Sequence, residues 1–465
     1  MELEPIRAGK FRQGQKTGTR LGSTPEETRY PPFVRRWLVA LVVLAAGVSA
    51  GAGFYTAYEN DREYSRLIAV GDQAAADDPV RALEAYSGAI TLRPDSMAAY
   101  LKRGMTYRRR GELDPALKDL RRASELDPTS TVALDWLGDT YLRMERFDRA
   151  AERYAAYVAL DDRAPSAWYR LGLAYYRSGD AAKAREPLQR AVALDRTLAE
   201  AHLLLGLSLR DQGQLPAART SLETAAQLAP ALTAPRDALS AIYAASGDTS
   251  RAIDQLEALA VLDPTRPARF VALGMAHARA RRYEAAILTL SRAVERFPNE
   301  PAVYGALGHV WLELAEAEED DVALKKAIEA LTTAAAHVDV TSAALTDLGR
   351  ARLRAGETAT AEQALRQAIL RLPVDPEAYR ELAGVVARRG QVQEARESLI
   401  RYATLIGEAQ PVAAVAAQIA SYSIRLGERD VALRWIERAI DESGTTPTLA
   451  ALRERAEAIP VVARR

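Results

Sequence analysis

The sequence predicts an all-α fold: a solenoid of about eleven stacked helical hairpins behind a single membrane-spanning helix. Three observations point there. A small residue returns every 34 residues, at Gly104, Gly138, Gly172, Gly206, Ser240, Gly274 and Gly308, then at Gly349, Ala383 and Ala420 after intervals of 41, 34 and 37. Within each period apolar residues fall three and four apart, as helices with one buried stripe require. Near the N-terminus, Trp37 to Thr56 runs for twenty residues without a charge.

In chain order, residues 1–36 come first. They carry eight basic side chains against four glutamates, among many Gly, Pro, Thr and Gln, and are expected to form a disordered basic tail. The uncharged run follows. As a helix, twenty residues span about 30 Å, the thickness of the hydrocarbon layer, and Trp37 at one edge with Phe54, Tyr55 and Tyr58 at the other sit where interfacial aromatics belong. Segment 37–57 therefore reads as an uncleaved anchor. A cleaved signal peptide competes, with Val48-Ser49-Ala50 as a passable site, but the basic leader is long and the apolar run continues past it. A buried core helix would carry polar residues on one face. Basic residues precede the span, and Glu59, Asp61 and Glu63 follow it. That charge bias places the N-terminus in the cytoplasm and the repeats on the extracytoplasmic, periplasmic side of the inner membrane. Gly47 and Gly51 have the spacing at which two membrane helices meet closely, which would make a homodimer, although a lone span tolerates the same glycines.

The repeats occupy 58–445. In the copy from Trp168 to Ala191, the apolar residues Trp168, Leu171 and Tyr175 mark one helix, and Ala184, Leu188 and Ala191 a second. Gly179-Asp180 between them supplies a left-handed cap and then an N-cap. Small residues at 172, 184 and 191 let the two axes approach, while large ones fill the space beside them. One hairpin cannot bury both stripes, so hairpins must stack.

The positions Tyr100, Gly104, Tyr107, Gly111, Ala116, Leu120, Ala123 and Pro128 resemble the tetratricopeptide repeat, as do His202, Leu205, Gly206, Leu209, Gly213, Ala218, Leu222, Ala225 and Pro230. Phe270, Leu273, Gly274, Ala286, Leu290, Ala293 and Pro298 form another copy, and Leu345, Leu348, Gly349, Gly356, Ala361, Leu365, Ala368 and Pro373 a further one. The first copy, marked by Ala82, Tyr86, Ala89 and Pro94, has a short turn. The copies around Tyr379 to Tyr402 and Ala416 to Ala439 are looser. Segment 446–465 would end the stack with an amphipathic capping helix, Leu449 to Ala458, and a tail. The resemblance implies a right-handed superhelix whose first helices line a concave groove for an extended peptide or a partner's helix. Carried over position by position, the groove is lined by Leu101, Met105 and Arg108, then Asp135, Asp139 and Leu142, Tyr169, Leu173 and Tyr176, and Leu203, Leu207 and Arg210. Asp237 and Ala241, Val271 and Met275, and His309 and Leu312 continue it. Partner binding is expected above all at Leu101, Met105, Tyr169, Leu173, Tyr176, Leu203, Leu207 and Arg210; of these, Tyr169, Leu173, Tyr176, Leu203 and Leu207 would form a contiguous exposed apolar patch with rigid aromatics. Repeats of this family that grip a C-terminal carboxylate use Lys, Arg and Asn in the groove. Here the two asparagines, Asn60 and Asn299, lie elsewhere.

One copy is longer: LELAEAEEDDVALKK adds seven residues between Trp311 and Ala327, so that hairpin is expected to protrude. Its run Glu316, Glu318, Glu319, Asp320 and Asp321 lacks the alternating ligands and central Gly of a calcium loop, and reads as a solvated turn.

Reaction chemistry is not evident. With no cysteine, thiol catalysis, disulfides and zinc-thiolate sites drop out. Of four histidines, His202 and His277 hold packing positions, His309 points toward the groove and His337 closes a second helix; no two share a helix at metal-ligand spacing. No nucleophile elbow or phosphate loop is present. The expectation is a non-enzyme without cofactor or metal. Sixty-two basic residues balance sixty-two acidic ones, so no general attraction to nucleic acid arises. Arg109, Arg143, Arg177, Arg279, Arg354, Arg388 and Arg425 share one repeat position just before the turn, which suits the carbonyl end of a helix better than a polyanion track; an anionic glycan remains a weak alternative ligand. The favoured function is a membrane-anchored scaffold that gathers envelope proteins for assembly, secretion or quality control. The alternative is a cytoplasm-facing adaptor that recruits soluble proteins to the membrane.

Overall fold

The structure, a computed structural model, describes residues 32–407 and 412–460. Of the tail expected to be disordered, 1–36, residues 1–31 lie outside the described residues, as do the last, 461–465; residues 32–36 depart from that expectation by forming the start of a helix. Those described form 23 α-helices, divided after Ala133 into two compact units.

The first unit contains α1 (Pro32–Ala74), α2 (Pro79–Leu92), α3 (Met97–Arg109) and α4 (Leu113–Leu126). Helix α1 runs unbroken for 43 residues. Its N-terminal half is the apolar run, with no side chain of that stretch buried and with Trp37 and Phe54 at 72% and 79% exposure. Its C-terminal end is the first helix of the first hairpin. Residue 58 is therefore no break in the backbone: the segment beyond it contains no Pro, and the Glu63–Arg66 pair at 2.6 Å supports the helix one turn on. At Gly71 the Tyr86 ring of α2 lies so close that a Cβ would sit 2.4 Å from its Cε1, and the Tyr86 hydroxyl donates to Asp72 at 2.9 Å. In the next hairpin Arg103 donates twice to the buried Asp119, at 2.6 and 2.9 Å.

The second unit holds nine further pairs. They are α5 (Thr131–Arg143), whose first residues precede the division, with α6 (Phe147–Leu160); α7 (Pro165–Arg177) with α8 (Ala181–Leu194); α9 (Ala199–Asp211) with α10 (Leu215–Leu228); and α11 (Thr233–Ala245) with α12 (Thr249–Leu262). Then come α13 (Pro267–Arg279) with α14 (Tyr283–Arg296), α15 (Pro301–Glu318) with α16 (Asp321–Ala335), and α17 (Ser342–Arg354) with α18 (Thr358–Ala368). The last are α19 (Pro376–Arg388) with α20 (Val392–Ile406) and α21 (Ala413–Arg425) with α22 (Arg429–Ser443), followed by α23 (Pro447–Glu457). Where the small residue of a first helix is glycine, it faces a large residue on the second: a Cβ on Gly172 would lie 2.5 Å from Leu188 Cγ. Gly179 adopts φ +88°, and Asp180 caps α8 by accepting from the Lys183 amide at 2.9 Å, as the turn sequence requires.

First helices touch first helices of the following hairpin, α13 with α15, α15 with α17 and α17 with α19, and so form one layer. The long hairpin puts most of its extra residues into α15, which has 18 against 13 in α13 and α17. Glu318, Glu319 and Asp321 are exposed there, and Asp320 caps α16 through the Val322 amide at 2.7 Å. Glu316 departs from the expected solvated run by binding Arg350 at 2.9 Å. Helix α23 buries Leu449, Leu452 and Ala456 against α21 and α22.

Candidate partner-binding groove

The first helices place the expected groove residues as follows, each within its own unit. On α3, Leu101 and Met105 are half-buried, whereas Arg108 is only 8% exposed and does not face a groove as expected. On α7 and α9, Tyr169, Leu173, Tyr176, Leu203 and Leu207 do come together. They pack onto the core around Leu188, Leu204 and Leu239 and are half-buried, so the expected exposed patch is a largely filled surface. The Tyr176 hydroxyl donates to Asp211 at 2.9 Å, Arg210 pairs with the same carboxylate at 2.8 Å, and burial pushes the Tyr169 phenol up. Asp135 is occupied by Arg170 and Asp237 by Arg269, through Nη2 at 2.9 Å. Leu312, expected in the groove, is 1% exposed. The lengthened α15 meets α16 along this face, and Leu312 joins the core around Leu331 and Leu345.

Open space lies further along the second unit. A cavity of about 600 Å³ is lined by Ala241, Ala244, Val271, Ala272, Met275 and Ala302, among others. One of about 570 Å³ adjoins it, bounded by Val271, Met275, Ala302, His309, Asp347 and Arg350, with Thr341, Asp375, Glu377 and Arg380 at its far wall. The space follows from side-chain size. Positions that hold Tyr169 and Leu203 on α7 and α9 hold Val271 on α13 and Gly305 on α15; those of Leu173 and Leu207 hold Ala241 on α11 and Met275 on α13. Gly305 also sets the α15–α17 approach, since a Cβ there would lie 3.2 Å from the Ala344 Cβ.

Sequence reasoning named Val271, Met275 and His309 but missed Asp347, Arg350 and the α19 residues. His309 Nδ1 lies 2.7 Å from Asp347 Oδ2, across 38 residues of sequence. The hydrogen bond to Asp347 raises the imidazole above its ordinary value, helped by the charges of Asp347 and Glu313 and opposed by burial and by Arg350. Burial does the reverse at His277, lowering it. His202 is half-buried with Nε2 3.1 Å from the Arg196 carbonyl, and His337 lies in the turn after α16 ends at Ala335. The shared arginines close their helices: Arg177, Arg279, Arg354, Arg388 and Arg425 are the last residues of α7, α13, α17, α19 and α21, where a cation faces free carbonyls. Among the described residues no cluster of His, Asp or Glu is arranged to hold a metal ion.

Repeated hairpins of this size, with the small residue of one helix set against a large one of the next, define a helical-repeat solenoid. Tetratricopeptide repeat models match residues 72–131, 137–199 and 346–414, and a second such model matches 243–310; together they span more than half of the chain. The chain belongs to the tetratricopeptide repeat family. Several solved structures are similar to parts of it. The crystal structure of MamA protein is 24% identical over 37% of this chain and 93% of that one, with a TM-score of 0.35. YrrB, described as a tetratricopeptide repeat protein with an unusual peptide-binding site, is 22% identical over 43% of this chain and 99% of its own, with a TM-score of 0.37. A tetratricopeptide repeat protein from Parabacteroides merdae ATCC 43184 is 18% identical over 54% of this chain and 99% of its own, at 0.39. No curated protein matches the sequence.

Proposed function

We propose that this chain is a single-span membrane protein whose repeats gather partner proteins on the first-helix face, on the extracytoplasmic side, in the service of envelope assembly, secretion or quality control. The observation that carries the membrane part is helix α1. An uncharged run with every side chain open to the surroundings is costly in water and suits a bilayer. The scaffold part rests on the family and on a first-helix layer that leaves two adjoining cavities open.

Reporter fusions test this reading: one enzyme active only in the periplasm and one active only in the cytoplasm, each joined after Arg465. Activity from the first alone is expected. Activity from the second alone overturns the topology and turns the protein into a cytoplasm-facing adaptor. Photo-crosslinkers at Leu207 and Ala302 then test the partner face in cells, and adducts at neither position would count against the groove.

A further inference from the structure

The two cavities form one trough, because Val271, Met275 and Ala302 line both. Its ends differ in chemistry. Toward α11 the walls are small and apolar, Ala241, Ala244, Ala268 and Ala272, with Leu256 beside them and Arg279 and Glu300 as the charged groups. Toward α19 each of three cations stands near two carboxylates. His309 lies 2.7 Å from Asp347 and 3.3 Å from Glu313. Arg350 lies 3.1 Å from Asp347 and 2.9 Å from Glu316. Arg380 lies 2.6 Å from Glu377 and 3.8 Å from Glu381. Asp375 adds another carboxylate, accepting from the Glu377 amide at 3.1 Å.

Each cation at this end is paired; the lining itself holds three carboxylates, Asp347, Asp375 and Glu377, against His309, Arg350 and Arg380, and Glu313, Glu316 and Glu381 behind them bring the nearby carboxylates to six. A cation entering the trough would offset that surplus in a partly desolvated place, where a charge pair counts for more than on open surface. An anion would face uncompensated carboxylates, which is a strong bar to the wrong partner.

We propose that the trough binds an extended partner segment bearing an apolar side chain and, a few residues away, a Lys or Arg. The apolar group occupies the alanine-walled end over Met275, and the cation meets Glu377 and Asp347. This deepens the scaffold reading and rests on it. Burial raises the Glu381 carboxyl, with Arg380 and Arg350 opposing the rise and Glu377 and Glu316 adding to it.

The test uses the full chain in detergent micelles and fluorescein-labelled peptides in which Leu and Lys are separated by one to four alanines between Gly-Ser flanks. Matched peptides replace Lys by Glu, or Leu by Gly. At least one Leu/Lys spacing is expected to bind about tenfold more tightly than both counterparts. Ala302→Trp, which fills the shared floor from an exposed position, is expected to weaken that peptide by about tenfold, and Glu377→Gln by about threefold, with circular dichroism unchanged. Equal binding of the Glu peptides overturns the proposal, and so does no binding of any Leu/Lys peptide. If no such peptide binds while the Ala302 photo-crosslinker still captures partners in cells, this inference fails and the scaffold stands. If neither occurs, both fail.

Discussion

His277 and His309 occupy first helices of consecutive hairpins, and they titrate in opposite senses. Burial lowers His277, so its folded form resists the proton and stability falls as pH drops below 6.5. His309 is raised by Asp347, so its contribution is complete below its ordinary 6.5 and is lost as pH climbs through the higher folded value. His309→Gln separates the two, because His277 acts equally in both proteins. The melting temperature of the variant is expected to trail that of the parent by more at pH 5.5 than at pH 8.5. A gap that stays constant or widens toward alkaline pH would show that the Asp347 contact does not hold the proton.

At the scale of the element, the hairpin depends on a few close approaches. With Leu188 Cγ 2.5 Å from where a Cβ on Gly172 would lie, Gly172→Ala is expected to cost about 1–3 kcal/mol by overpacking. Adding Leu188→Ala should recover part of that loss, since the two residues share one contact. Hydrogen exchange would locate the weakening in α7 and α8, and uniform loss of protection across the chain would contradict so local a cause. Such hairpins were legible in the sequence because each close approach needs the same small residue at the same place. The trough was not. It arises where volume is missing, at Ala241, Ala302 and Gly305, and a missing side chain leaves no motif. Its polar wall joins residues from separate repeats, as in His309 with Asp347 and Arg350 with Glu316, 34 residues apart. Periodicity places such residues on one layer without saying which will pair. The unbroken α1 was hidden for a different reason: the charges after Tyr58 end the apolar run, yet Glu59, Arg62, Glu63 and Arg66 favour a helix and no Gly or Pro comes before Gly71, so hydropathy changed where backbone did not.

At the scale of the molecule, the first compact unit holds α1 to α4, and with them the apolar half of α1 proposed as the anchor. From Ala57 to Ala74, α1 extends about 27 Å as a helix, with its last turns packed on α2 through Gly71 and Tyr86. Reconstituted in nanodiscs, the protein is expected to show a narrow distribution of distances between a spin label at Val80 and labelled lipid head groups. A five-residue Gly-Ser insertion after Tyr58 should broaden that distribution about twofold. Equally broad distributions in both proteins would mean that α1 bends in the bilayer-bound state. Anchored as proposed, a helix with no joint between the bilayer and the first hairpin acts as a lever. Tilting or turning its lipid-embedded half would reach the α1–α2 hairpin as torque instead of being lost in slack chain, so the membrane itself becomes something this protein can be pushed by.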